Sequence, residues 1–296
     1  MNRIKSSLLS ALMASTAGTA HAGADWHELE LQYFHGNGFK QFSGGIDSVT
    51  GAPTGDSTTM NVYQIAYSNG WKYGGTYFYV ANQLDGDDIK VFSQGWEYLS
   101  LDKIFGRDFS FGPVKEIRLA PGWQYATTRD YPAGSANQGS APDIGAKVVY
   151  DAADTKDVFL GLDFPLDIPG FEFAGLTVGV YKNLQDKTKY ELQPSVDFYY
   201  RTTWYWGPTR WKAQGFVQWY DSRESSVNSN LDAVAYVYSQ NAIALDAGYL
   251  LWERPNQFYF GTQIQYSHNT YGVKDVPFVS KSTNEFFPQI YLEWVF

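Results

Sequence analysis

The last eleven residues of the chain alternate. Counting back by twos from the C-terminal residue gives Phe296, Trp294, Leu292, Ile290, Pro288 and Phe286. The residues between are Val295, Glu293, Tyr291, Gln289 and Phe287. A strand sends successive side chains to opposite faces, so one face here is apolar and the other mixed and partly ionisable. A half-buried strand of a soluble sandwich would alternate in the same way, because periodicity does not name the solvent on the apolar side. An apolar outward face and a more polar inward one are also what a transmembrane barrel strand requires.

The start of the chain bears on that choice. Arg3 and Lys5 form a basic segment, Leu8 to Ala17 is a short run of apolar and small residues, and Ala20-His21-Ala22 offers small residues at the two positions a signal peptidase reads. The apolar run is too short to span a bilayer, so residues 1–22 read as a cleaved secretory signal peptide. The expected mature protein begins at Gly23 and forms one domain, 23–296.

Composition fits export to a barrel. Mean hydropathy is negative, and no other stretch is apolar enough for a membrane helix. A barrel is compatible with both facts, since only every second residue of its strands faces lipid. Aromatic residues make up 18% of the chain, with 23 Tyr and 10 Trp, an excess that aromatic girdles at the two membrane interfaces would use. Cysteine is absent, so stability must come from a closed ladder of backbone hydrogen bonds rather than from disulfides. The net charge of −9 grows more negative once Arg3 and Lys5 are removed, which argues against nucleic acid as a partner.

Turn signals divide the mature chain into twelve predicted strands, near 26–36, 58–69, 71–82, 89–101, 113–126, 155–167, 172–182, 190–203, 209–221, 241–252, 257–268 and 285–296. Asn69-Gly70, Gly207-Pro208 and Pro255-Asn256 read as tight turns. Segments 37–57, 127–154, 222–240 and 269–284 read as longer loops. These follow strands 1, 5, 9 and 11, all odd-numbered, as they must if alternate connections share one side. A further strand fits in 143–151 or 231–239, so the count could rise to fourteen. The predicted fold is an all-β, antiparallel transmembrane barrel.

Faces follow from the period of two. Glu191, Ser195, Asp197, Tyr199 and Arg201 oppose Leu192, Val196 and Phe198. Lys212, Gln214, Phe216, Gln218 and Tyr220 oppose Trp211, Val217 and Trp219. Trp26, Glu28, Glu30 and Phe34 oppose Leu29, Leu31 and Tyr33, and Tyr259 opposes Phe258 and Phe260. A cationic side chain on a lipid face costs about 2–4 kcal/mol at midplane. The ionisable members therefore point into the lumen, where Tyr291 and Glu293 of the last strand join them.

Barrel diameter grows with strand number, and twelve strands fall between a filled eight-stranded interior and a wide porin channel. Any channel should be narrow and closely lined. Its predicted lining is Trp26, Glu28, Glu30, Phe34, Glu191, Asp197, Tyr199, Arg201, Lys212, Phe216, Tyr220, Tyr259, Tyr291 and Glu293. Rings offer stacking faces, while amides and carboxylates accept hydroxyl protons, so a small, uncharged, planar, hydroxyl-bearing solute suits it. Plain filling of a tight barrel interior is the other use for each of these aromatics. The carboxylates Glu28, Glu30, Glu191, Asp197 and Glu293 outnumber Arg201 and Lys212, which predicts exclusion of nucleotides.

One stretch resembles a known family. Ser100-Leu101-Asp102-Lys103-Ile104, followed by Asp108-Phe109-Ser110-Phe111-Gly112-Pro113-Val114-Lys115-Glu116, is similar to the central signature of the nucleoside-specific channel-forming proteins, the Tsx-like family. Asp25-Trp26-His27, Trp206-Gly207-Pro208 and the terminal Phe296 resemble other parts of that pattern. The resemblance covers the mature chain in layout and is specific over 96–118. The chain departs from the pattern in a longer loop after strand 1 and in 127–154. The resemblance implies a monomeric twelve-stranded barrel that passes nucleosides across the outer membrane of a Gram-negative cell, in contact with lipid and lipopolysaccharide. It also implies that surface loops can serve as a phage or bacteriocin receptor. Physically, Gly112-Pro113 should turn the chain, since Pro lacks a ladder donor. Asp102, Lys103, Lys115 and Glu116 flank that connection and could pair across it.

Little in the sequence points to an enzyme. His27, His35 and His268 are the histidines left after signal cleavage, and no Gly-x-Ser-x-Gly or His-Glu-x-x-His motif occurs. No metal-ligand spacing appears, and no cofactor is expected.

Overall fold

A lipid-facing strand can leave no ladder edge open, and among the described residues the twelve strands close on themselves. The computed structural model describes residues 24–41, 56–85, 88–128, 155–184, 189–224, 226, 232–270 and 284–296. Its strands are β1 (Ala24–Gln41), β2 (Asp56–Trp71), β3 (Gly74–Asp85), β4 (Asp88–Ser100), β5 (Arg118–Thr128) and β6 (Thr155–Leu166). They continue with β7 (Phe173–Asn183), β8 (Gln193–Trp206), β9 (Thr209–Tyr220), β10 (Tyr236–Asp246), β11 (Phe258–His268) and β12 (Glu285–Val295). Each pairs antiparallel with its sequence neighbours, and β12 returns to β1, from Glu30 opposite Val295 to Gly36 opposite Gln289. The result is a closed twelve-stranded antiparallel barrel.

The faces divide as the period of two requires. Leu160 and Ile290 are 55% and 51% exposed on the outside, whereas Gln94 and Glu293 are 2% and 1% exposed on the inside. Apolar residues out and polar residues in is the arrangement of a barrel dissolved in lipid, and the fold is a transmembrane β-barrel. Both described ends of the chain lie on one side, together with the connections after even-numbered strands. Here Trp252, Phe258, Trp294 and Phe296 form a run of ring contacts with centroids 5.7–6.3 Å apart, part of an interfacial girdle.

Two connections on this side carry short helices. In α1 (Leu101–Phe105) the Ser100 side chain caps the start by accepting from the Lys103 N–H. In α2 (Ala247–Trp252) Asp246 accepts from the Tyr249 N–H at 2.9 Å. Asp246 also takes the Asn256 N–H at 2.9 Å and an Arg210 N–H at 2.6 Å, which ties this connection to β9.

Three expectations need correction. Residues 247–252 are helix rather than strand, because Ala-Gly-Tyr-Leu-Leu-Trp is apolar without alternation and follows a capping Asp. Residues 113–117 precede β5 rather than belonging to it. Asn69 and Gly70 lie inside β2, paired with Thr76 and Gly75, and the turn falls at Lys72-Tyr73. Gly70 is a seat rather than a turn: a Cβ there would meet the Trp26 indole nitrogen at 2.1 Å. Most of the expected loops 37–57, 127–154 and 269–284 lies outside the described residues, as does 143–151. Residues 236–239 open β10 rather than forming an additional strand.

Leu160→Arg places a cation on the lipid face near the middle of β6. It should lower folding stability in phospholipid vesicles by about 2–4 kcal/mol, read by urea titration of the refolded barrel.

Candidate functional site

The inward residues of β1, β8, β9 and β12 satisfy one another across the lumen. Arg201 on β8 donates to Glu28 at 2.9 Å and to Glu30 at 2.7 Å, both on β1. Five steps round the ring of twelve separate these strands, so the guanidinium bridges nearly opposite walls. Its third nitrogen donates to Gln214 at 2.9 Å, and Gln214 donates to the Tyr291 hydroxyl at 2.9 Å. Tyr291 and Lys212 both donate to Glu293, and the Lys212 ammonium sits 3.7 Å from the Tyr259 ring centroid. Gln32 and Gln64 extend the chain from Glu30 at 2.5 and 2.7 Å.

A second network occupies the opposite wall. Asp163 on β6 accepts from Thr177 at 2.8 Å and Tyr199 at 2.9 Å. Arg118 Nε lies 2.9 Å from its other oxygen, an ion pair although the N–H points away from that oxygen. Above it, Tyr79 donates to Gln94, which donates to Tyr181, each at 3.1 Å. Gln218 also donates to Tyr181 at 3.2 Å and accepts from Tyr220 at 2.6 Å.

Between the networks lies a cavity of about 560 Å³, reached from the side of the chain ends past Trp26, Lys103 and Lys115. A smaller one of about 70 Å³ lies on the far side. Gln64, Tyr79, Gln240 and Gln263 line both, so an amide-rich wall lies between them. Tyr77 and Trp96 stack in the larger cavity at 6.2 Å and 18°.

Most expected lumen residues lie where the period of two puts them. Trp26, Glu28, Glu30, Asp197, Tyr199, Arg201, Phe216 and Tyr291 line the larger cavity, and Phe34 and Tyr220 the smaller. Lys212, Tyr259 and Glu293 point inward but are buried against one another in the wall. Glu191 is the exception. It precedes β8, exposed, with its N–H donating to the Glu224 carbonyl, because the strand begins at Gln193, three residues later than expected.

The signature connection is a turn, clasped differently from expectation. Phe111 and Val114 exchange backbone hydrogen bonds at 3.1 and 2.9 Å, with Gly112-Pro113 between them. Phe111 is exposed, and Phe109 packs edge-on to Phe105. The four charges do not pair with one another among the described residues. Asp102 accepts the N–H groups of Phe109 at 3.0 Å and Ile117 at 3.4 Å. Lys115 pairs with Asp167 at 3.6 Å, an exposed contact worth about 0–1 kcal/mol. Glu116 takes the Ser100 hydroxyl and approaches Arg118 at 3.6 Å. Lys103, Lys115 and Glu116 line the mouth of the cavity.

Arg118 and Asp163 were missed by the sequence reading, although alternation could have found them: Arg118, Ala120 and Gly122 oppose Ile117, Leu119 and Trp123. Arg118, with Lys103 and Lys115, changes the charge argument. Glu28, Glu30, Glu116 and Asp197 line the larger cavity against Lys103, Lys115, Arg118 and Arg201. The lining is balanced, and the expected excess of carboxylates does not hold there.

No family model matches the chain, and no curated protein does. Solved structures with a similar course include the translocator domain of the autotransporter NalP from Neisseria meningitidis, at 6% identity and TM-score 0.40, covering 98% of this chain and 95% of that one. An outer membrane channel from Pseudomonas putida F1 is similar at 8% identity and TM-score 0.42, covering 93% and 96%. Likeness at this level carries no argument about a solute. The fold and lumen themselves define a transmembrane β-barrel whose interior is cross-braced by charge pairs around a lined cavity. The nucleoside-channel resemblance stays with the residues that suggest it, chiefly 96–118.

Removing one partner of a buried ion pair costs about 3–5 kcal/mol, whereas apolar replacement of both is close to neutral. Lys212→Met should therefore destabilise the barrel by that amount, and Lys212→Met with Glu293→Leu should recover most of it in urea unfolding. Arg201→Ala removes the bridge across the lumen and should at least double unitary ion conductance in a planar bilayer.

Proposed function

We propose that the barrel lies in the bacterial outer membrane and lets nucleosides diffuse passively down their gradient. The observation that carries this reading is the cavity of about 560 Å³ lined by aromatic rings and sharing an amide-rich wall with a smaller cavity beyond it. That volume is within the usual range for small-molecule sites. Tyr77, Trp96, Tyr199 and Phe216 offer faces to a planar base. The Gln263 amide offers donors and an acceptor to sugar hydroxyls, and the Gln64 and Gln240 carbonyl oxygens offer further acceptors. Arg201, Glu28 and Glu30 are occupied with one another, which favours an uncharged solute. Binding is weak, as passage requires the solute to leave again. The signature resemblance supports the same solute class.

Phe216→Ala and Tyr199→Ala should each slow adenosine entry into proteoliposomes at least threefold while changing ion conductance less than twofold. Adenosine entry at the wild-type rate in both variants would remove the aromatic faces from the mechanism.

The length of the segments between β1 and β2 and between β5 and β6 favours a second, compatible role as a docking site for a phage or bacteriocin. A chain lacking part of 129–154 should then still fold but lose that binding.

A further inference from the structure

Among the described residues, the Asp197 carboxylate has no hydrogen-bond or ion-pair partner. Strand β8 places it between Thr177 of β7 and Gln218 of β9 in the ladder, and it lines the larger cavity. It is 9% exposed, and its Oδ1 is buried with no hydrogen bond. No hydrogen bond or ion pair involves its side chain among the described residues. Several neighbouring side chains point their donors elsewhere. Thr177 and Tyr199 donate to Asp163, Gln218 and Gln94 donate to Tyr181, and Arg201 is held by Glu28, Glu30 and Gln214. Other inward carboxylates have cations: Glu28 and Glu30 have Arg201, Asp163 has Arg118, and Glu293 has Lys212.

Burying a carboxylate without a hydrogen bond or counter-charge is costly, and polar groups left so in a folded protein call for an explanation. A ligand that brings a positive charge and N–H donors would remove the cost. The same cavity presents the faces of Tyr77, Trp96 and Phe216, which attract both a cation and a second ring.

We propose that Asp197 anchors a binding site for small aromatic ammonium ions, with the ammonium on the carboxylate and the ring against the aromatic wall. This site does not depend on the nucleoside reading, since an uncharged nucleoside supplies no cation.

The test compares block of the refolded full chain in planar bilayers by 2-phenylethylammonium and by 2-phenylethanol, which share a ring and differ in charge. The ammonium should half-block at a concentration at least tenfold lower than the alcohol. Asp197→Asn should erase that preference, and Asp197→Ser should do the same if the Asn variant fails to regain the heat-modifiable migration of a folded barrel. Equal block of the wild-type channel by both probes overturns the proposal, as does a preference that survives loss of the carboxylate. Ammonium block in a channel indifferent to adenosine would sink the nucleoside reading and leave this site standing.

Discussion

Hydrocarbon offers no water to a backbone N–H or C=O, so a strand that faces lipid must be paired along both edges. Joining β12 to β1 meets that demand, and much else in this structure follows from it. Closure fixes which residues face inward, because a one-residue slip anywhere would turn a strand inside out. Twelve strands then set an interior too wide to be filled by side chains alone and too narrow to stay an open aqueous pore.

The interior faces the complementary problem. Carboxylates, ammonium and guanidinium groups held away from bulk water must satisfy one another. The chain solves this with pairs that reach between strands distant in the ring, such as Arg201 with Glu28 and Glu30, and Lys212 with Glu293. Small residues make room for these contacts. A Cβ at Gly175 would stand 2.2 Å from the Tyr199 hydroxyl oxygen, so the glycine lets that ring lie along β7 and reach Asp163. The braces decide where space is left, and among the described residues that space includes a cavity of about 560 Å³ walled by rings and amides. Stability and the shape of the lumen thus depend on the same side chains.

The sequence disclosed the parts of this arrangement that depend on a period of two. The closing strand shows it plainly: Glu293, Tyr291, Gln289 and Phe287 all point inward. What alternation does not encode is where a strand starts or which residues meet across a closed ring. Glu191 shares the parity of Asp197 yet lies before β8 begins, and the Asn69-Gly70 pair looks like a turn until Trp26 is seen against it. The meeting of Arg201 with Glu28 joins residues 173 positions apart and depends on the register of every strand between them. Arg118 and Asp163 are a different case, since their parity was there to be read. The lack of a partner for the Asp197 side chain among the described residues was beyond reach of the sequence, because it depends on where Thr177, Tyr199 and Arg201 direct their donors.

The central claim is that the lumen is a narrow passage with a weak site for an uncharged planar solute. Single-channel conductance of the refolded wild-type protein, with adenosine titrated on one side of a planar bilayer, tests it most directly. A small conductance that falls saturably as adenosine rises is the predicted result. A conductance indifferent to adenosine would contradict the claim.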